Sequence, residues 1–317
     1  MIDLHIHSNN SDGSDTVEEI LKKAEERSLH YISITDHDNC DAYDVLKKIN
    51  VSKFYSGNIL NGIELKCAYK GRLIDVLGYN YNIRRMKKLL KIYYPEHAVL
   101  QEKYLKHFYI ACEKMGLKLT PFEDLKWNKD KDWATILIYK EIKNHPENEE
   151  KCPKDMWESL DSFRYNYLYN KETDFYIDKT KDYPSLEECI SIIHKAKGKA
   201  FIAHMYIYDW AKNKEEFINE IIDNYDIDGI ECYYTKFSDD QINYVLNLCN
   251  EKNLYKSGGS DYHGTNRPGI NLGVGYGNLQ IPDYIVCDWN KEKWYTRFFK
   301  RNKLALNEAF RINDNLS

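Results

Sequence analysis

An α/β barrel interrupted by a helical insertion is the fold the sequence predicts, on three observations. Short apolar strands alternate with amphipathic helices over the first 80 residues. The same rhythm returns near residue 183, after a Lys-, Tyr- and Trp-rich stretch that does not share it. Histidines and carboxylates recur where predicted strands end, which is where a parallel α/β barrel carries its active site.

The elements follow in order. Ile2 to Ile6 reads as a strand, and Thr16 to Ser28 as a helix opened by the capping box Thr16-x-x-Glu19, with Val17, Ile20, Leu21 and Ala24 on one face. Tyr31 to Thr35 is the next strand; a short helix near Asp41 to Ile49 separates it from strands at Ile59 to Leu65 and Leu73 to Tyr79. Together they predict a parallel sheet with crossover helices. From 84 to 182 the best periodic stretch, Glu96 to Met115, is helical, so this segment reads as an inserted, mainly helical subdomain, and 1–83 with 183–317 as the barrel. Ser185-x-x-Glu188 then caps a helix ending at Gly198, ahead of a strand at Ala200 to Ala203. A strand at Gly229 to Tyr233 precedes the helix opened by Ser238-x-x-Gln241, which feeds a last strand ending at Ser257. The tail after Gly277 carries little periodic signal.

Composition narrows the function classes. At 317 residues the chain can bury an ample core without staples. Its eight cysteines form no C-x-x-C pair, so neither a zinc knuckle nor a disulfide framework is indicated, and a reducing, cytoplasmic location is expected. No apolar run approaches the roughly 18 residues of a membrane span, so no membrane partner is expected. A net charge of −5 with interspersed signs argues against long duplex nucleic acid. A small anionic substrate would need local positive charge, which bound metal ions supply.

The ligand-type residues lie far apart in the chain. His5 and His7, at i and i+2 on a strand, project to one face and can chelate one ion. Asp12 follows in Ser11-Asp12-Gly13; the second strand runs into Asp36-His37-Asp38; the third carries Glu64; a later one ends in His204. The last ends in Gly259-Ser260-Asp261-Tyr262-His263. Taken singly, each has an ordinary explanation: a hydrogen-bonded histidine, a salt-bridge glutamate, an Asp-Gly turn. Together they would be strongly destabilising at one mouth without cations, which makes a metal cluster the economical explanation.

The runs Asp3-Leu4-His5-Ile6-His7-Ser8, Ile34-Thr35-Asp36-His37-Asp38, Ala203-His204 and Gly259-Ser260-Asp261-Tyr262-His263 together resemble the four motifs of the PHP (polymerase and histidinol phosphatase) family. The resemblance implies a distorted TIM-like (β/α)7 barrel, with a helical insertion in the nucleotide phosphatase-like branch. It places a first metal on His5, His7, Glu64 and Asp261, and a second on Glu64 and His204. A third falls to Asp12, His37 and His263. Asp75, in Leu73-Ile74-Asp75-Val76-Leu77-Gly78, stands where the family has a histidine ligand of the second metal. Met205 replaces the proline that commonly follows the Ala-His pair.

Two or three divalent ions (Mn, Zn or Fe) would activate a water against phosphorus, with Asp12, His37, Glu64 and His263 as the catalytic ligands. No serine or cysteine nucleophile is then required. Asp3 and Asp38 are candidates to orient the histidines. Arg267 is a candidate phosphate contact, and Arg72 and Lys199 are weaker ones. The insertion is expected to act as a lid that selects the substrate, and surface or core is the expected placement of its His97, His107 and His145, with entry into the pocket the alternative.

The expected activity is a metal-dependent phosphomonoesterase on a small metabolite, a nucleoside monophosphate or 3′,5′-bisphosphate. Within the family the alternatives are a histidinol-phosphate phosphatase and a short-oligonucleotide exonuclease. An amidohydrolase shares the His-x-His opening but not the Asp12-Gly13 loop or the Ser-Asp-Tyr-His close. A non-catalytic metal-binding module is a further alternative, left open by Asp75.

Overall fold

The computed structural model describes residues 1–129 and 132–289. Among them, seven strands lie side by side in chain order: β1 (Ile2–Ile6), β2 (Tyr31–Ile34), β3 (Asn58–Tyr69), β4 (Arg72–Tyr79), β5 (Lys199–Ile202), β6 (Gly229–Tyr234) and β7 (Tyr255–Gly259). The sheet curls until its ends meet. Asp261 N–H donates to His5 O and His7 N–H to Tyr262 O, both at 2.9 Å, and so nearly close an α/β barrel of the expected TIM-like kind. Gly259 permits that seam: a Cβ there would stand 2.3 Å from the backbone N and the Cβ of His5.

The all-parallel expectation for the first 80 residues is corrected by β4. β1, β2 and β3 are parallel, but Lys70 and Gly71, at φ 47° and 70°, turn the chain straight back. Two consecutive left-handed residues are the geometry of a tight hairpin, not of a helical crossover. β4 consequently pairs antiparallel with β5, and the parallel order resumes through β6 and β7.

Local sequence accounts for the flanking helices. Thr16 and Glu19 form the expected capping box, and the helix Val17–Glu26 buries Val17, Ile20, Leu21 and Ala24 against Ile6, Ile32 and Ile34. Ser238 and Gln241 form a second capping box at the head of Asp239–Glu251. A separate core joins Leu4, Leu60, Leu77, Tyr79 and Phe201 to Ile285 and Trp289 of the helix Tyr284–Trp289. The tail beyond residue 289 lies outside the described residues.

The chain divides into two compact units. The first comprises Met1–Lys66, Ile74–Lys87 and Glu187 onward; the second comprises Cys67–Leu73 and Lys88–Leu186. The second unit is mainly helical, with His97–Lys114 and Ala134–Lys143 packed round a core of its own that includes Phe108, Ile138, Phe163 and Phe175. Two of its histidines have local hydrogen-bond partners, His97 with Asp132 O at 3.2 Å and His145 with Glu141 at 3.0 Å, and the Nε2 of His107 is buried without one. All eight cysteines are free thiols, and no described helix is long and apolar enough to cross a membrane.

Candidate metal centre

The period of a strand sets the site in motion. On β1, Asp3, His5 and His7 alternate with Ile2, Leu4 and Ile6, so the apolar set can pack while both imidazoles share a face. Their Nε2 atoms lie 3.2 Å apart, and both side chains are fully buried. At the end of β7, Asp261 brings Oδ1 to 3.5 Å from His5 Nε2 and 3.3 Å from His7 Nε2. Glu64, from the middle of β3, is the hub. Its Oε2 lies 3.4 Å from His5, 3.2 Å from His7 and 3.2 Å from His37, and its Oε1 lies 2.9 Å from His204.

Asp12 gathers the opposite rim. Its carboxylate lies 3.3 Å from His7 Nδ1, 3.1 Å from His263 Nε2 and 3.6 Å from His37 Nε2. All nine ligand-type residues singled out in the sequence thus fall into four overlapping groups whose donor atoms lie within 4.8 Å of one another: His7, Asp12, His37 and His263; His5, His7 and Asp261; His5, Glu64 and His204; His37, Glu64 and Asp75. Asp75 is grouped with His37 and Glu64, and His204, the partner the resemblance gave it, with His5 and the same Glu64.

The donor set fits divalent cations on a structural test. His7 Nδ1, His204 Nδ1 and His263 Nε2 are buried and make no hydrogen bond, although two of them face Asp12 within ion-pair range. Orphaned imidazole nitrogens aimed among carboxylates are arranged as ligand atoms round a shared ion, and hydrogen-bond donors and acceptors would be arranged otherwise. Imidazole and carboxylate donors together suit Mn, Fe or Zn.

Electrostatics agree. Burial works against charge on Glu64, but His37 and His5 hold its carboxyl well below the usual range; burial is likewise outweighed at Asp261 by His5 and Arg267. Burial and the Lys66 ammonium push His37 well below the usual imidazole range, whereas neighbouring carboxylates, against burial, raise His5 and His7 well above it. Backbone strain concentrates here too: Asp38, His204 and Asp261 hold φ of 54°, 28° and 56°, left-handed values that non-glycine residues adopt at a cost of about 1–3 kcal/mol each.

The supporting residues differ from those expected. Asp3 accepts from the backbone of His5, Ser260 and Gly273 and from Ser260 Oγ, so it staples the β1–β7 seam and touches no imidazole. Asp38 accepts from Lys66 N–H, and its burial raises its pKa to about 7. The carboxylate that holds His5 is Glu231 of β6, 2.8 Å from Nδ1, which turns Nε2 towards the other ligands. Glu231 also accepts from His204 N–H at 2.7 Å. The sequence signal was there, a lone charge inside Gly-Ile-Glu-Cys-Tyr, but it belongs to no strand end. Tyr234 Oη donates to Asp261 Oδ2 at 2.8 Å, and Asp36 ties Ser8 and Ser11 beneath the Asp12 loop.

The three candidate phosphate contacts fall in different places. Arg267 Nη1 is hydrogen-bonded to Asp261 Oδ2, so its guanidinium braces a ligand carboxylate. Lys199 opens β5 at the far end from His204 and pairs with Asp228 at 3.6 Å. Arg72 is exposed at the start of β4, within the second unit, whereas the ligand cluster belongs to the first.

Comparison with known proteins places this geometry. The PHP domain family matches residues 3–234. A 5′-3′ exoribonuclease of Haemophilus influenzae is 25% identical over 301 residues, 91% of this chain and 98% of that protein. Two solved structures share the fold: a candidate metal-dependent phosphoesterase of Bifidobacterium adolescentis (TM-score 0.63, 20% identity, covering 90% of this chain and 94% of that one) and an amidohydrolase of Chromobacterium violaceum (TM-score 0.64, 21% identity, 90% and 92%).

Proposed function

The chain belongs to the PHP domain family, and from that premise we propose that it is a metal-dependent phosphoesterase acting on a nucleotide-type substrate. The observation that carries the reading is the convergence of His5, His7, His37 and His204 on the single carboxylate of Glu64, within 2.9–3.4 Å. His5, His7, Glu64 and Asp261 would hold one ion, and Asp12, His37 and His263 another. When bound, divalent ions supply a nucleophilic water at neutral pH and neutralise charge on the phosphoryl oxygens. The chain's own groups keep the donors in place: Glu231 fixes the ring of His5, and Tyr234 and Arg267 fix Asp261.

Coverage of nearly the whole of a relative named as a 5′-3′ exoribonuclease moves the substrate from the free monoester towards a phosphodiester at the 5′ end of short RNA. A net charge of −5 without a basic stripe suits oligonucleotides of a few residues, or the nucleoside monophosphates and 3′,5′-bisphosphates of the second reading, better than long strands. Manganese-reconstituted protein should release 5′-mononucleotides from 5′-phosphorylated di- and trinucleotides. Inorganic phosphate released from mononucleotides or bisphosphates would favour the second reading. Inertness towards every phosphoester, with turnover of amide or lactone substrates, would defeat both.

A further inference from the structure

Lys66 follows Glu64 by two residues on β3, so both side chains stand on one face. Its Nζ lies 3.0 Å from His37 Nδ1 and 3.6 Å from Asp75 Oδ1, against two of the three residues of the His37, Glu64 and Asp75 group. The backbone is pinned there as well, because Lys66 N–H donates to Asp38 Oδ1 at 2.9 Å. An ammonium in that place satisfies the Asp75 carboxylate, donates to His37 and repels a second cation at close range. It also favours a carboxylate at position 75, through a charge pair at 3.6 Å that a neutral imidazole would not make.

We propose that the Lys66 ammonium is a built-in cation that closes the Asp75 corner to divalent metal, so that the chain loads two ions and not three. The inference rests on the metal-centre reading above, and the experiment separates the two. Full-length protein is saturated with manganese, freed of excess metal and assayed by elemental analysis, with calorimetric titration counting sites independently. Two ions per chain are expected for the native protein, and three for Lys66→Ser combined with Asp75→His. The isosteric Lys66→Met alone should also admit a third ion, more weakly, and circular dichroism checks that each variant folds. Three ions in the native protein would overturn the role of Lys66 while leaving the metal centre intact. Two ions in native and variant proteins alike would overturn it too. No bound metal in any of them would overturn the metal-centre reading and this inference together.

Discussion

On the β1–β7 side of the centre, His5, His7 and Asp261 bring their donor atoms together with Glu231 behind one ring and Tyr234 and the Arg267 guanidinium behind the carboxylate, both on Oδ2. On the β3–β4 side, His37, Glu64 and Asp75 make a group of the same size and chemistry but face the ammonium of Lys66. The difference shows that a cluster of ligand-type residues is not defined by its ligands alone. Whether it takes an ion depends on which atoms the nearest fixed charge meets. Arg267 engages Asp261 through Oδ2 and leaves Oδ1 to His5 and His7, where an exogenous cation would complete the balance; Lys66 stands against His37 Nδ1 and Asp75 Oδ1, where the balance is already struck.

The harshest way to break the comparison is to remove a donor from the β1–β7 side. Asp261→Ala should cut turnover by at least about 10²- to 10³-fold with the fold retained, and His37→Ala, which belongs to two of the four groups, should do the same. Near-native rates in either variant would mean the ligand assignment is mistaken. Next in size, Glu231→Gln keeps the shape but weakens the hold on His5, and should lower manganese affinity by about 10- to 100-fold in calorimetric titration. If affinity is unchanged, the orienting contact is incidental.

Chelation tests stability and not rate. Ions that bind only the folded chain add about 2.7 kcal/mol when present at 100 times their dissociation constant, so stripping with EDTA should lower Tm in a manganese-dependent way. A transition indifferent to EDTA would contradict a metal-balanced cluster. Gly259→Ala probes the seam that brings Asp261 to His5. The added methyl meets the His5 backbone at 2.3 Å and should cost about 1–3 kcal/mol in urea unfolding, with loss of metal affinity.

The smallest effect comes from a histidine–carboxylate pair away from the centre. His194 Nε2 lies 2.8 Å from Asp228, and that hydrogen bond raises its pKa above the ordinary value against the effect of burial. A raised folded-state pKa contributes stability that is fully present below about pH 6.5 and is lost as pH rises through the folded value. The Tm difference between native protein and His194→Gln should therefore be larger at pH 6 than at pH 9. An unvarying difference would show that the pair is uncharged throughout, and the contrast with the metal centre would lose its reference point.

Much of the centre was legible because strand periodicity writes itself into short runs. His5-x-His7 announced a shared face, and the Thr16 and Ser238 capping boxes marked helix starts that the structure reproduces. The direction of β4 was not legible, because an apolar strand reads alike either way. The Lys70-Gly71 turn carried the signal but lacks the Asn or Asp that usually advertises such hairpins. The partners of Lys66 and Arg267 were not legible for a related reason. A lone basic residue looks like solvated surface until the carboxylate opposite it is known, and those partners are Asp75, nine positions along the chain, and Asp261.

By itself the sequence determined the alternation of strand and helix, the identity of nearly every donor and the family to which they belong, since each depends on residues within a few positions of one another. Only the tertiary structure decided which donors share an ion, which carboxylate steadies His5 and which cation answers Asp75. Those pairings join residues as far apart as His5 and Asp261, and their energies depend on distance and burial, quantities that exist only once the barrel has closed.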